Sequence, residues 1–189
     1  MKSWRFALTF LAAVVIWSGT AQADFDTGWR AFQKGDFAAA LAAWRPLAEA
    51  GDARSQFNLG TMYDRGRGVL VDPVKAAEWW RRAAEGGYAR AQHNFASSLI
   101  AGEGVASDYS VAIDWLTRVS NQGLARSQYK LGKMYSFGLG VPKNQSNAFL
   151  WFEKAANQGF VQAQYNLGKM YRDGLGTEMD VKQAFKWYL

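Results

Sequence analysis

From Leu59 onward the sequence returns to itself every 36 residues, and a chain with that property folds as a stack of similar units. One column holds Leu59, Phe95, Leu131 and Leu167, the next Gly60, Ala96, Gly132 and Gly168, and a third Tyr63, Leu99, Tyr135 and Tyr171. Steps of one and of three or four residues put these side chains on one face of a helix, where the small residue lets a neighbouring helix come close. A glycine pair follows each time (Gly66 with Gly68, Gly102 with Gly104, Gly138 with Gly140, Gly174 with Gly176) and stops that helix. Asp72, Asp108, Asn144 and Asp180 then share a column, and such side chains accept hydrogen bonds from the free amides at a helix start. Pro73 fits the first helical position. The second helix carries Ala76, Ala112, Ala148 and Ala184, then Trp79, Trp115, Trp151 and Trp187, and ends at Gly87, Gly123 or Gly159. The expected unit is helix, glycine-rich loop, helix, glycine. The tryptophan column reads as packed scaffold.

These columns predict repeats over residues 53–88, 89–124 and 125–160 and a partial fourth over 161–189. Residues 24–52 read as a shortened opening hairpin, in which Trp29-Arg30-Ala31-Phe32 aligns with residues 60–63 and Gly35-Asp36 joins the two helices directly. Pro46 falls inside its second helix, and the missing donor and ring clash predict a bend or break there. The sequence stops at Leu189, halfway through a second helix, so that end is expected either to fray or to belong to a longer chain.

With 189 residues, 49% of them hydrophobic, the chain has the material for an ordinary packed core. The first 23 residues read differently: Lys2 and Arg5 open a short apolar run over residues 6–17, and Ala21-Gln22-Ala23 supplies small residues for cleavage. The run is too short for a transmembrane helix, which needs roughly 20 apolar residues. A cleaved secretory signal is therefore expected, with Asp24 as the new N-terminus and a secreted or periplasmic protein without a membrane anchor. Without Lys2 and Arg5 the chain carries 20 basic and 16 acidic residues, a formal charge of +4, too mild to imply nucleic-acid binding. The absence of cysteine rules out disulfides, thiolate metal sites, a cysteine nucleophile and a lipid attached through cysteine.

At Leu59-Gly60-Thr61-Met62-Tyr63-Asp64-Arg65-Gly66-Arg67-Gly68-Val69, Asp72, Lys75-Ala76-Ala77, Trp79-Trp80 and Ala83-Ala84 the chain resembles the Sel-1-like repeats of the tetratricopeptide superfamily. The match covers residues 53–189. The opening hairpin looks more like an ordinary tetratricopeptide unit, through Gly35-Asp36-Phe37 and Ala40-Leu41. The resemblance implies an all-α, right-handed superhelical solenoid of antiparallel helix hairpins with a concave face lined by the first helices. It also implies a scaffold for protein–protein interaction, in roles such as envelope regulation, polysaccharide assembly or host contact.

Several motifs have a plainer reading than the chemistry they suggest. The Gly-x-Gly pairs recur once per hairpin, with no strand before them and no Gly-Lys-Ser or Gly-Lys-Thr after, so they are helix stops and not a nucleotide site. His93, the only histidine, shares a column with Phe57, Tyr129 and Tyr165 and reads as an aromatic-slot residue. No metal-ligand or calcium-loop spacing is present, and no cofactor or metal is expected. Some cysteine-rich relatives of this family act on β-lactams, and an envelope enzyme acting on peptidoglycan or β-lactams is the alternative function. Ser127-Gln128-Tyr129-Lys130 fits Ser-x-x-Lys, yet the equivalent slots begin Ser55-Gln56, Ala91-Gln92 and Ala163-Gln164, so the match is a repeat slot with a lysine in it. Ser107-Asp108-Tyr109 is only a partial Ser-Asp-Asn, no Lys-Thr-Gly occurs, and no catalytic grouping emerges. Asn144-Gln145-Ser146 is a glycosylation sequon.

The first helices carry the candidate binding residues. Arg54, Arg90 and Arg126 recur in one slot, Phe57, His93, Tyr129 and Tyr165 in another, and Lys133 and Lys169 lie one turn further on, near Arg65 and Arg172. Mapped onto the concave face that the resemblance implies, they form a basic strip beside aromatic rings. Such a strip suits a protein or peptide partner with an acidic or carboxylate-bearing segment.

Overall fold

The computed structural model describes residues 24–189; the expected signal segment, residues 1–23, lies outside the described residues. The chain divides into two compact units, one ending at Tyr88 and one beginning at Ala89. The first contains α1 (residues 24–33), α2 (Phe37–Glu49), α3 (Ala53–Arg65) and α4 (Pro73–Glu85). The second contains α5 (Ala89–Ala101), α6 (Tyr109–Asn121), α7 (Ala125–Phe137), α8 (Gln145–Ala156), α9 (Val161–Asp173) and α10 (Val181–Tyr188). No strand occurs among the described residues, and within each unit every helix from α2 on packs on its sequence neighbours, as in a helical solenoid.

The local chemistry of each hairpin follows its columns. The side chains of Asp72, Asp108, Asn144 and Asp180 each accept a hydrogen bond from the backbone three residues on, at 3.0, 3.0, 2.9 and 2.9 Å, and so start α4, α6, α8 and α10. The N–H groups of the same four residues donate back to the carbonyls of Tyr63, Leu99, Tyr135 and Tyr171, which closes each glycine-rich loop on its first helix. Gly138 ends α7 in the left-handed region, at φ 73°, where a Cβ would be strained.

A second recurring device joins one hairpin to the next. The Gln56 side chain donates to the Ala48 carbonyl at 2.9 Å, Gln128 to Ser120 at 3.0 Å and Gln164 to Ala156 at 3.4 Å. A glutamine near the start of a first helix thus satisfies a carbonyl in the last turn of the preceding second helix, one of the acceptors a helix end leaves unpaired.

Three expectations need correction. Pro46 neither breaks nor ends α2, which runs on to Glu49 with Trp44 and Ala48 fully buried on either side of it. Pro46 and Ala42 are both exposed, so water can satisfy the carbonyl that Pro46 cannot serve. The alignment of the opening hairpin shifts by one residue: Gly28, not Trp29, takes the role of Gly60, since a Cβ on Gly28 would collide with Trp44 just as one on Gly60 would collide with Trp80. Finally, Trp79, Trp115 and Trp151 are only half-buried. The buried large-residue slot of these helices is the next one, held by Trp80, Leu116 and Phe152. Each half-buried indole instead carries the cation three residues on: Arg82 at 4.8 Å from the Trp79 ring, Arg118 at 5.1 Å from Trp115 and Lys154 at 4.2 Å from Trp151.

Candidate partner-binding face and cleft

The eleven candidate residues separate into those that are already engaged and those that are not. In the first unit, Arg54 pairs with Asp52 at 3.6 Å and stacks over Phe25 at 4.2 Å, and Phe57 packs on Tyr88 at 5.2 Å. Arg65 lies 3.9 Å from Asp64. In the second unit, Arg172 is clamped by its neighbour Asp173 through bonds of 2.7 and 2.9 Å. The strip is therefore not uniformly basic: adjacent carboxylates offset Arg54, Arg65 and Arg172. Arg90, Arg126, Lys133 and Lys169 are exposed, and no carboxylate of the described residues lies in ion-pair range of them.

On α7 the charge is denser than the repeat columns suggest. Arg126, Lys130 and Lys133 stand at i, i+4 and i+7, on one helix face. Lys130 is half-buried, and its Nζ donates to Ser97 Oγ at 2.7 Å, a neutral partner. Burial, then Lys133 and Arg126, lower its pKa below the usual lysine value. One turn back, His93 Nδ1 lies 2.8 Å from Ser127 Oγ. Burial first, then Lys130 and Arg126, hold the imidazole pKa down to about 3, so it is neutral at physiological pH.

The same geometry bears on the Ser-x-x-Lys match. Ser127 is fully buried against His93, while Lys130 turns to Ser97 on α5. A serine nucleophile needs both an open approach and an effective base; Ser127 has no solvent face, Lys130 is turned away from it, and His93, which does reach it, is held to a pKa of about 3 and is a weak base.

Where α7, α8 and α9 meet, a cleft of about 430 Å³ opens, the size of a small-ligand site. Lys133, Lys143 and Lys169 supply its charge, Ser136, Gln145 and Asn166 its neutral polar groups, and Tyr129, Phe137, Phe152, Met170 and Leu175 its apolar wall. No carboxylate lines it. Three of the candidate residues, Tyr129, Lys133 and Lys169, meet here; Arg90, His93 and Arg126 do not line it. Tyr129 packs between Phe152 and Phe160, at 5.6 and 5.2 Å, whereas Tyr165 is largely exposed beside Tyr188. Column reading missed Lys130, Lys143 and Phe137 because each belongs to one repeat alone; the i, i+4, i+7 spacing on α7 was the available signal for Lys130.

A family model for the Sel1 repeat matches residues 53–88, 89–124, 125–160 and 161–189. The chain belongs to the Sel1 repeat family. Among solved structures, the Sel1-type fold closely matches that of c5321, a protective antigen of uropathogenic Escherichia coli, with 33% identity and a TM-score of 0.86 over 90% of this chain. This chain spans only 38% of that protein's length. A Sel1 repeat protein from Oxalobacter formigenes is 29% identical, with a TM-score of 0.81, over 87% of this chain and 67% of its own. No curated protein matches. Sel1 repeat proteins typically mediate protein–protein interaction.

Proposed function

We propose that this Sel1 repeat chain works outside the cytoplasm as a scaffold that recruits a partner protein by an acidic segment laid along the first-helix face of its second unit. The observation that carries this reading is the run Arg126, Lys130 and Lys133 on α7, continued by Lys143 and Lys169 around a cleft without a carboxylate. Like charges on one helix face repel one another: burial first, and then Lys133 and Arg126, lower the pKa of Lys130, and an anionic ligand relieves the part due to its neighbours. A surface of one sign also gathers oppositely charged segments from solution. The basic start, short apolar run and Ala21-Gln22-Ala23 support export. Envelope regulation, polysaccharide assembly and host contact are the settings in which such a scaffold would serve.

The test is fluorescence polarisation of a labelled oligoglutamate peptide with the full chain. Binding should be strong in dilute buffer and fade as salt shortens the Debye length from roughly 10 Å at 0.1 M to about 3 Å at 1 M. Replacing both Arg126 and Lys133 by Glu should abolish it while the helical circular-dichroism spectrum persists. Equal binding by parent and double variant would refute the assignment of this face.

A further inference from the structure

We infer that the cleft between α7, α8 and α9 is a specificity pocket for one kind of peptide sequence, an acidic residue directly beside a large apolar one. This deepens the acidic-segment reading, on which it rests, by stating what the cleft adds to charge.

Phe137 is the first reason. It is the last residue of α7 and 66% exposed, yet its ring forms part of the cleft wall. The equivalent positions in the other repeats are Arg65, Ala101 and Asp173, so the scaffold does not require an aromatic residue there. Leu175, itself 38% exposed, lines the same wall together with the buried Phe152 and Met170. An apolar side chain laid against Phe137 and Leu175 would remove both from water.

The lysines are the second reason. Lys133, Lys143 and Lys169 come from α7, the α7–α8 loop and α9, and no carboxylate lines the cleft, although Asp173, one turn along α9 and bonded to Arg172, interacts with Lys169. Lys143 stands where the other repeats have Val71, Ser107 and Met179, so the repeat pattern does not dictate it either. Two non-repeated residues, one aromatic and one cationic, thus meet in a single cleft.

Asn166 adds a neutral polar group to the cleft. Its Nδ2 donates to the Gln162 carbonyl at 2.7 Å, so its Oδ1 remains able to accept from a peptide N–H. A free carboxylate has no proton to donate, and neither it nor inorganic phosphate offers a large apolar side chain to Phe137 and Leu175. An acidic polysaccharide would offer hydroxyl donors but no large apolar side chain for Phe137 and Leu175. An acidic and apolar peptide segment satisfies all three groups at once.

The experiment compares short capped, fluorescently labelled peptides that alternate glutamate with leucine, glutamate with serine, and glutamine with leucine, alongside a labelled oligogalacturonate. The glutamate–leucine peptide should bind the full chain at least about ten-fold more tightly than any other probe. Phe137→Ser should erase its advantage over the glutamate–serine peptide without changing the helical spectrum, and Lys169→Glu should weaken both. Equal binding of the glutamate–leucine and glutamate–serine peptides, or an oligogalacturonate that binds as tightly, overturns the pocket while leaving the broader basic face in place. If neither acidic peptide binds, both readings fall together.

Discussion

Gly60 and Trp80 are matched so closely that a methyl group on Gly60 would lie 2.5 Å from the indole Cδ1. Gly132 stands in the same relation to Phe152, at 2.8 Å. The second repeat has Ala96 in the small slot and Leu116 in the large one, both fully buried. The two columns compensate, with glycine opposite an aromatic ring and alanine in the hairpin that carries leucine. Gly60→Ala should therefore cost about 1–3 kcal/mol of overpacking strain, less the roughly 1 kcal/mol that alanine gains over glycine in a helix. Trp80→Leu should cost less in the Gly60→Ala background than in the parent. A urea-denaturation double-mutant cycle measures the coupling, and strict additivity would contradict it.

The helix caps predict a difference in pH response. Asn144 caps α8 with a neutral amide, so Asn144→Ala should cost about 1 kcal/mol at pH 7 and at pH 3 alike. Asp72 caps α4 as a carboxylate, and its pKa is lowered chiefly by the backbone N–H of Lys75, with the Lys75 side chain adding to it. A depressed folded-state pKa means the stabilisation is complete above the ordinary value of 3.8 and is lost as pH falls through the folded value. The effect of Asp72→Ala should consequently shrink in acid. Thermal melts of both variants across that range provide the check.

His93 sets a second pH dependence, of opposite origin. In the unfolded chain it takes up a proton near its ordinary value of 6.5, whereas in the folded chain burial delays this to about 3. Between those values the unfolded state binds more protons, so stability falls as pH drops from 6.5 and the loss levels off near 3. His93→Phe, which installs the residue of the Phe57 slot, should flatten that part of the stability curve. In the parent, the imidazole resonances should not titrate between pH 5 and 8.

Export has its own measurement. The full chain produced in a secreting host should be recovered outside the cytoplasm with an intact mass that lacks residues 1–23. A recovered mass that includes them rules out cleavage at Ala23.

The repeat, its glycine stops and its capping residues were legible in the sequence because each is imposed by backbone geometry, which admits few residue types. Burial was harder to read. The buried large-residue slot of the second helices holds Trp80, Leu116 and Phe152, whose identities vary because each is fitted to its own small partner, while the constant tryptophan beside it sits at the water's edge. The one-residue shift at Gly28 escaped notice because Gly35-Asp36 replaces the longer loop and breaks the period. At the candidate site, Arg54 looked equivalent to Arg90 and Arg126 by column, and Arg65 and Arg172 looked like further free cations near Lys133 and Lys169. Only local geometry shows that Asp52, Asp64 and Asp173 answer them.

The cations over Trp79, Trp115 and Trp151 bear on how this chain behaves in a crowded fluid. A protein with nine tryptophans invites self-association wherever flat indole faces are bare. Here the half-buried indoles of α4, α6 and α8 meet solvent beneath a guanidinium or an ammonium laid over the ring. Each cation thus covers indole surface that would otherwise be bare, so the aromatic area open to a neighbouring molecule is smaller than the tryptophan column alone suggests.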